Sequence, residues 1–328
     1  MEFREIVQEQ LPKVICFGEA LLDRLGPLGG DPSIDKSVQD CLGGAPANVA
    51  CALARLGIDV GFIGRLGDDK IGTDFSNLMI QRRINIQGLQ IDPSLPSRVV
   101  LVCRDINGER SFGGFAGDIG HGFADEAIDL GELSKEWSSI APAAEWLLVG
   151  TIPLAFQASS QSLFWCIEKA VDAGIRIAID INWRPIFWDA NSPPDIGPNQ
   201  LAKDTIQPLL NTASLLKLSK EEANWFFDTS NPSDISSSLP NHPDVVVTDG
   251  ALPIRWQLNN CSGTIEVPNS LKIVDTTGAG DCFTAGLLCK LLQSGQSLGN
   301  QALSEDIVRF ASASGALVCL GAGAIDPQ

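Results

Sequence analysis

The sequence predicts an α/β fold with a doubly wound, mostly parallel sheet, helices on both faces of that sheet, and a small second sheet. Three observations predict it. Short apolar runs alternate with amphipathic segments along most of the 328 residues. The amphipathic segments are about 10–15 residues long, as in crossovers between parallel strands. One stretch, residues 98–115, breaks the alternation with two extended runs and no helix.

The first predicted elements follow one another closely. The apolar run KVICFGE at 13–19 ends in glycine and predicts a buried strand. A helix is predicted over 46–57, because Pro46 suits a first turn and Gly57 lies where a C-terminal cap belongs. The next strand and helix are predicted at 60–67 and 72–83.

The stretch 98–115, RVVLVCRDINGERSFGGF, predicts a β-hairpin. Its centre, Asn107-Gly108, is the strongest short hairpin signal, since both residues tolerate the positive φ angles of a type I′ turn. Because no helix is attached, the hairpin is expected to belong to a small antiparallel sheet outside the main layer.

The alternation resumes after the hairpin. Strands are predicted at 145–150, 175–180, 214–219 and 244–250, and helices at 159–174, 279–294 and about 304–319. The helix at 159–174 is expected to bury Leu163, Phe164, Ile167 and Val171. The Pro/Ser/Asn-rich stretches 188–200 and 228–244 are predicted to be surface loops within one domain, because each is short.

Composition excludes several classes of function. The net charge of −17 argues against nucleic acid or an anionic membrane as the main partner. Nine cysteines include no Cys-x-x-Cys pair, and the two histidines lie far apart, so a zinc site has no supporting spacing. We expect reduced core thiols and a cytoplasmic protein, since the first residues also lack the apolar core of a signal peptide.

The segment VDTTGAGDCFTAGLL at 274–288 carries the main candidate site. Gly278, Ala279 and Gly280 place almost no side chain at the start of a predicted helix, where backbone N–H groups lack intrahelical acceptors. Such a turn binds anions. Asp281 would repel a bound phosphate, and accepting a proton from an attacking hydroxyl is a reason for a carboxylate at that position.

This segment has other interpretations. On Gly-x-Gly alone, a pair of loop glycines followed by a first-turn acid is favoured, because the helix dipole stabilises Asp281 in any case. The dinucleotide fingerprint Gly-x-Gly-x-x-Gly is not satisfied, since Phe283 occupies the third glycine position. The P-loop motif is absent from the whole sequence.

A second segment adds to the first. CLGGAPANVACALARLG at 41–57, with FIGRLGDDKIG at 62–72, resembles the first signature of the ribokinase-like, phosphofructokinase-B family of sugar kinases, and DTTGAGDCFTAG at 275–286 resembles the second. Both are long and in the expected order. The resemblance implies a single ribokinase-like domain over 1–328 with a β-sheet lid formed near 22–42 and 96–118.

The resemblance implies roles for the best-matched residues. Asp281 corresponds to the catalytic base, and Gly278, Ala279 and Gly280 to the anion hole, with both glycines also nucleotide-binding. The sugar-contacting positions correspond to Asp23, Gly43, Gly44 and Asn48. Without the second signature, a plain strand-to-helix turn at Gly43-Gly44 and a first-turn polar residue at Asn48 would be the preferred interpretations.

The resemblance also implies cofactors, ATP and Mg²⁺. In LKLSKEEANWF, Glu222 corresponds to a residue that holds Mg²⁺ through water, which suits an ion that keeps most of its waters. An exposed acidic turn is the alternative. Thr248 and Gly250 correspond to a nucleotide-side loop, although Pro253 stands where the family has another glycine.

Potassium is a further implied ligand. Asp275 and Thr277 correspond to a monovalent-cation site that the C-terminal LGAGAI would complete. An aspartate bonded to local backbone at the start of a helix is an equal alternative for Asp275. IDINWRPIFW at 179–188 resembles a strand end of fructokinase and ketodeoxygluconate kinase types, where Asp180, Asn182 and Arg184 would point into the cleft and Arg184 would contact the substrate or neutralise phosphate. Pairing of Arg184 with a local acid is the alternative.

The expected substrate is a neutral sugar, most simply fructose. GGAPANVA is the fructokinase-like form of the first signature, but the usual Arg-Asn-Pro after the hairpin is missing, and Asp118 is the one counterpart of that motif. Ketodeoxygluconate, ribose or a nucleoside remain alternatives, as does a non-catalytic homologue. A nicotinamide oxidoreductase is disfavoured, because CFGEALLDRLG lacks its glycine fingerprint. The expected partners are small molecules, with a homodimer as the assembly.

Overall fold

The computed structural model describes residues 11–106, 110–118, 120–193, 195–268, 273–294, 299–321 and 323–325. These residues form thirteen strands, β1 (Val14–Phe17), β2 (Leu21–Leu28), β3 (Gln39–Gly43), β4 (Val60–Gly67), β5 (Asn85–Asp92), β6 (Val99–Arg104), β7 (Arg110–Ala116), β8 (Trp146–Val149), β9 (Arg176–Asp180), β10 (Leu215–Ser219), β11 (Asp244–Asp249), β12 (Leu252–Leu258) and β13 (Cys261–Ile265). The described α-helices are α1 (Ala45–Arg55), α2 (Lys70–Gln81), α3 (Leu130–Ile140), α4 (Gln157–Asp172), α5 (Gln200–Leu210), α6 (Lys220–Phe227), α7 (Pro232–Ser238), α8 (Ala279–Ser294) and α9 (Gln301–Val318).

The main sheet has nine strands in the order β13-β12-β11-β10-β9-β8-β1-β4-β5. Strands β11 to β5 in that order run parallel, and β12 and β13 add an antiparallel edge. The central strand β1 is buried at every residue, as a strand covered on both faces must be. The predicted α/β architecture is confirmed.

Each face of the main sheet packs a separate apolar core. Val14 and Cys16 of β1 belong to the core that α1, α2, α8 and α9 cover, whereas Ile15 and Phe17 belong to the core covered by α3, α4, α5 and α7. Alternate residues of one strand therefore serve opposite faces, which follows from the two-residue period of a strand.

The small sheet has four strands in the order β3-β2-β6-β7. Strand β2 pairs antiparallel with β3 and parallel with β6, and β6 pairs antiparallel with β7. A small separate sheet is thus confirmed, but it is mixed and not antiparallel as predicted, because β2 and β6 pair in parallel. The predicted turn Asn107-Gly108 lies outside the described residues.

Helix α1 ends as its sequence predicts. Gly57 has a φ of +79°, its amide donates to the carbonyl of Ala54, and the amide of Ile58 donates to that of Leu53. These two bonds form a Schellman motif, which requires a left-handed residue at the position of Gly57. The motif fixes the C-terminal end of the helix whose N-terminal end reaches the site.

Helix α4 buries most of the face predicted for it, with Val171 as the exception. Leu163 and Ile167 are buried and Phe164 is half-buried, but Val171 is 57% exposed. The hydroxyls of Ser159 and Ser162 donate to the carbonyls of Asp125 and Ile128, so the serine side of the helix faces inward. The prediction for Val171 was wrong, because the buried stripe of the helix ends at Ala170 and leaves Val171 exposed in the last turn.

The stretch 228–244 is more ordered than predicted. It contains α7, whose N-terminus is capped by the Asn231 side chain accepting from the amide of Ser233, with Pro232 in the first turn. The same Asn and Pro that suggest a loop are helix-start residues. Among the described helices, none has the length and apolarity that crossing a membrane requires.

Candidate active site

A cavity of about 610 Å³ opens at the carboxyl ends of the parallel strands. Glu19 after β1, Asn182 after β9 and Ser219 at the end of β10 all line it. Helices α1 and α8 begin at its floor, and β2, β6 and β7 of the small sheet form its other side. Ligands of open α/β sheets bind at this edge, and the cavity is therefore the candidate site.

Most of the residues predicted from sequence meet in this cavity. Those that line it are Asp23, Gly44, Asn48, Asn182, Arg184, Glu222, Thr277, Gly278, Gly280 and Asp281. Those that do not line it are Gly43, Ala279, Asp180, Thr248, Gly250, Asp275 and Asp118.

The start of α8 is shaped by glycine. Gly278 has a φ of +77°, and a Cβ atom there would lie 2.5 Å from the Cβ of Ala324. The first backbone amide in this turn to donate an i→i−4 helical hydrogen bond is that of Cys282, which bonds to the carbonyl of Gly278. Because Gly280 and Asp281 precede it, their N–H groups have no such acceptor among the described residues. The turn therefore presents backbone donors at the cavity.

Asp281 is the third residue of α8 and is held by a residue of α1. The Asn48 side-chain amide donates to Asp281 Oδ2 over 2.7 Å. Burial raises the pKa of Asp281 to about 6, against the opposing effects of the Asn48 hydrogen bond and of the charges of Lys217 and Arg184. At neutral pH the carboxylate is ionised, and in this form it can accept a proton.

A buried ion pair lies below Asp281. Lys217 Nζ, on β10, donates to both carboxylate oxygens of Asp180 over 3.1 Å, and the Thr284 hydroxyl of α8 donates to the same carboxylate over 3.0 Å. Asp180 is thus directed towards Lys217 and Thr284 and does not line the cavity. Although burial alone would lower the pKa of Lys217, the attraction of Asp180 raises it, so the ammonium is charged.

Lys217 is a site residue that the sequence analysis did not identify. It lines the cavity, and its Nζ lies 3.0 Å from where a Cβ on Gly280 would be. An alanine at 280 would therefore crowd the ammonium. A lysine in the otherwise apolar strand LLKLS is the signal that could have identified it, since Lys is rarely buried without a charged partner.

The other end of the cavity floor requires two glycines. Gly44 has a φ of +100°, and a Cβ there would lie 2.6 Å from the carbonyl oxygen of Glu19. A Cβ on Gly43 would lie 2.7 Å from Asp23 Oδ2, so Gly43 leaves room for this carboxylate even though it does not itself line the cavity. The two glycines let α1 begin close to Glu19 and Asp23.

Glu222 lies at the end of the cavity near β10. Its Oε2 accepts from the amide of Ser219 in a capping box, and its Oε1 accepts from the amide of Trp183, each over 2.7 Å. The carboxylate is fixed and 6% exposed. Each oxygen has a lone pair left for a water, which suits an ion held through its hydration shell. The described residues contain no cluster of three metal-binding side chains.

The Asp275 carboxylate links α8 to the C-terminal loop. Oδ1 accepts from the amide and hydroxyl of Thr277 over 3.0 and 2.7 Å, and Oδ2 accepts from the amide of Gly323 over 3.1 Å. Asp275, Thr277 and Gly323 also line a second cavity, of about 230 Å³. The C-terminal loop thus lies where the sequence analysis placed it.

Three predicted residues lie apart from the main cavity. Thr248 pairs in register with Ser219, one strand away, and Gly250 follows at the end of β11 with a φ of +57° and open space around it. Asp118 is exposed and accepts from the amides of Gly120 and Gly122 in its own loop.

The wall of the cavity opposite α8 is apolar. Its residues are Leu21, Val100, Phe112, Ile152, Ile186 and Phe187. Behind this wall Arg98 is enclosed by four phenylalanine rings and bonded to Asp125 and Glu126. The wall adjoins the small sheet, and the sequence analysis did not identify it because its residues are scattered along the chain.

Comparison with known proteins agrees with this geometry. The protein-family model of pfkB family carbohydrate kinases matches residues 11–328. A fructokinase of Klebsiella pneumoniae is 31% identical over 319 residues, covering 95% of both chains. The protein named probable fructokinase-6, chloroplastic, of Arabidopsis thaliana is 30% identical over 324 residues, 97% of this chain and 80% of that protein.

A solved structure extends the likeness to three dimensions. The crystal structure of fructokinase from Vibrio cholerae O395 in a fructose-, ADP- and calcium-bound form matches with a TM-score of 0.76 at 29% identity, over 97% of this chain and 96% of that one. The fold is therefore ribokinase-like. With both signatures meeting in one cavity and the family match spanning 11–328, the chain belongs to the pfkB family of carbohydrate kinases.

Proposed function

We propose that this carbohydrate kinase transfers the γ-phosphoryl group of ATP to a hydroxyl of a neutral monosaccharide, and that fructose is its substrate. The observation that carries the proposal is the position of Asp281, held by Asn48 over 2.7 Å beside the open amides of α8. The likeness to a fructokinase that binds fructose and ADP supports the choice of substrate and nucleotide.

Asp281 acts as the base in this proposal. Its pKa of about 6 leaves it ionised at pH 7 and able to accept the proton of the attacking hydroxyl. Asn48 holds the carboxylate in place through the amide of its side chain, which removes one source of misalignment. A proton acceptor within reach of the sugar is needed only as the new bond to phosphorus forms.

The phosphoryl charge is stabilised from several directions. The turn at Gly278, Ala279 and Gly280 offers backbone N–H groups, and Lys217 adds a cation beside Gly280. Arg184, exposed at the cavity, is a further cation for the phosphates. These donors are already in position before charge develops, which is the arrangement that lowers such a barrier.

The residues present also fit the expected cations. Glu222 would hold Mg²⁺ through water, and the ion would neutralise charge on the β- and γ-phosphate oxygens. Asp275 and Thr277, with the backbone near Gly323, would hold K⁺ beside the anion hole. Likeness to solved fructokinases bound to calcium or potassium ions supports a bound metal ion.

The nucleotide is proposed to extend from the anion hole towards the end of β11. Thr248 and Gly250 lie one strand beyond Ser219, which lines the cavity. The open space around Gly250 would admit a ligand close to the backbone. A fructokinase of Xylella fastidiosa solved with bound ATP, 27% identical to this chain, supports a nucleotide on this fold.

The sugar is proposed to lie between the start of α1 and the small sheet, which acts as a lid and carries Asp23 on β2. Asp23 and Asn48 can bond vicinal hydroxyls, and Gly43-Gly44 lets the ring approach the backbone. The described residues of the small sheet that line the cavity carry no basic group. A carboxylate or phosphate on the substrate would have no partner there, so a neutral sugar fits best.

The apolar wall favours a second candidate. Phe112 and Phe187 both line the cavity, and their rings could cover a flat, apolar group of a substrate. A riboside with such a group would use the same base and anion hole. Only the acceptor differs between the two candidates.

A substrate panel tests the proposal. With ATP and Mg²⁺, free ketoses, aldoses, sugar acids, sugar phosphates and nucleosides are compared, and fructose is expected to have the highest kcat/KM. Asp23→Ala should lower kcat/KM for fructose by a factor that corresponds to about 1–3 kcal/mol of binding free energy, the cost of leaving a polar group unpaired. A nucleoside ranking first would support the second candidate. The absence of any sugar-dependent ATP turnover would refute both candidates.

A further inference from the structure

Glu19 is a buried carboxyl group that the proposed mechanism leaves without a role. It follows β1, is 3% exposed and lines the main cavity. Its Oε1 accepts from the amide of Ala45, the first residue of α1, over 3.1 Å. Its Oε2 is closed to water and has no hydrogen-bond partner among the described residues. A buried acceptor without a partner is costly, so it requires an explanation.

Asn48 presents the same problem on the same helix. It lies three residues after Ala45, which puts both on one side of α1. Its amide nitrogen is committed to Asp281, and its Oδ1 is buried and lacks a partner within the described part of the chain. Two unpartnered oxygens therefore occur on residues that line one cavity, and a single proton on one of them would satisfy both.

We propose that Glu19 carries this proton and donates it to Oδ1 of Asn48, so that Glu19, through Asn48, positions the Asp281 carboxylate. The inference rests on the proposed role of Asp281 as base. Because Oε2 of Glu19 and Oδ1 of Asn48 are both closed to water, a bond within the protein suits them better than a bond to substrate. Glu19 is thus a positioning residue and does not touch the reacting atoms.

The surroundings of Glu19 favour the protonated form. Burial raises the pKa of Glu19 to about 8, and the facing carboxylates of Asp125 and Asp281 also raise it. Hydrogen bonds from the backbone amides of Glu19 itself and Ala45 oppose this rise. Asp125 is occupied by Arg98, whose guanidinium donates to both of its oxygens. Ala45 and Asn48 of α1 bring no charge. At pH 7 the proton is therefore retained on Glu19.

The proton determines which way the Asn48 amide points. With a donor at Glu19, Oδ1 faces Glu19 and the NH₂ group faces Asp281. Once Glu19 is ionised it can only accept, so it attracts the NH₂ group and leaves Oδ1 against Asp281. Two negative oxygens then face each other, and the base loses the bond that orients it. Loss of activity at alkaline pH is the expected result.

Two substitutions of Glu19 separate this role from simple packing. Gln has the same shape and donates at every pH, so Glu19→Gln should keep kcat at pH 7 within about threefold of wild type. Wild-type kcat should fall as pH rises through about 8, the pKa of Glu19, and the Glu19→Gln profile should stay flat there. Glu19→Ala should lower kcat at every pH by on the order of tenfold or more, with the KM for ATP unchanged.

A spectroscopic measurement does not depend on turnover. The infrared carbonyl band of a protonated carboxyl group should be present at pH 7 in wild type and absent in Glu19→Gln, and it should disappear in wild type as pH rises. It decides the protonation state even if Glu19→Ala does not fold. Glu266→Gln, the same change on an exposed residue, is the matched control and should alter neither the band nor the profile.

The outcomes separate this inference from the proposed function. If Glu19→Gln shows the wild-type alkaline fall, or is as impaired as Glu19→Ala, the positioning role is overturned while the kinase mechanism stands. If Asp281→Asn keeps near wild-type turnover, the base assignment fails, whatever Glu19 does. A missing carbonyl band at pH 7 overturns the proton on Glu19.

Discussion

Replacing Asp281 with asparagine should weaken catalysis and strengthen the fold at once. Asn keeps the size of the side chain and can still contact Asn48, but it accepts no proton. We expect kcat with fructose to fall by on the order of 10²–10⁴, the usual contribution of a general base. The KM for the sugar should change little, because the floor contacts at Asp23 and Asn48 remain.

The gain in stability follows from the pKa of Asp281. Its rise from the ordinary value of 3.8 to about 6 means that the folded state holds the proton more tightly than the unfolded state. Stability is therefore lost as pH rises from about 4 to about 6, and the whole loss is present at pH 7. The change corresponds to about 3 kcal/mol, and to about 1–3 kcal/mol after allowing for partial exposure to the cavity.

Urea unfolding and a coupled ATP assay measure the two effects on one preparation. Asp281→Asn should be more stable than wild type at pH 7, and the difference should shrink as pH is lowered towards 4. Asp306→Asn, the same change on the exposed side of α9, is the control and should be neutral in both assays. Near wild-type turnover, or a stability gain that is the same at pH 4 and pH 7, would refute the reasoning.

Two further predictions concern the start of α8 and its surroundings. Gly278→Ala should lower the free energy of unfolding by about 1–3 kcal/mol, because φ is +77° and the Ala324 Cβ would lie 2.5 Å away; an unchanged urea midpoint would contradict this. K⁺ should raise the initial rate above that in Na⁺ or a large organic cation, since Asp275, Thr277 and Gly323 converge beside the anion hole, and equal rates in all three salts would remove the site.

Structural features that depend only on residues adjacent in the chain could be predicted from the sequence. The two signatures, the cap at Gly57 and the glycine turn before Asp281 each depend on local geometry. Local geometry leaves a local pattern, such as glycine where φ is positive. For the same reason the strand–helix alternation gave the fold class correctly.

Features set by distant partners were not predictable. Lys217 depends on Asp180, 37 residues away in sequence. The lysine in LLKLS indicates that a charged partner exists, but no local pattern identifies Asp180 as that partner. Asp180 was expected in the cleft, but the attraction of a buried ammonium outweighs exposure to the cavity. The inward position of Ser159 and Ser162 on α4 was not predicted either, because their hydroxyls bond to carbonyls of another segment. In each case the deciding contact is tertiary.

The small sheet cannot assemble from one continuous piece of chain. Its centre is the parallel pairing of β2 with β6, and β3, α1, β4, α2 and β5 lie between these strands in sequence. That pairing becomes available only after the intervening chain has compacted, because closing so long a loop carries an entropic cost. Amides of β2 and β6 should therefore gain protection later than those of β1 and β4 when folding is followed by pulsed hydrogen exchange. A nascent chain that ends before β6 would leave one side of β2 unpaired, so the cavity wall is completed late in synthesis as well.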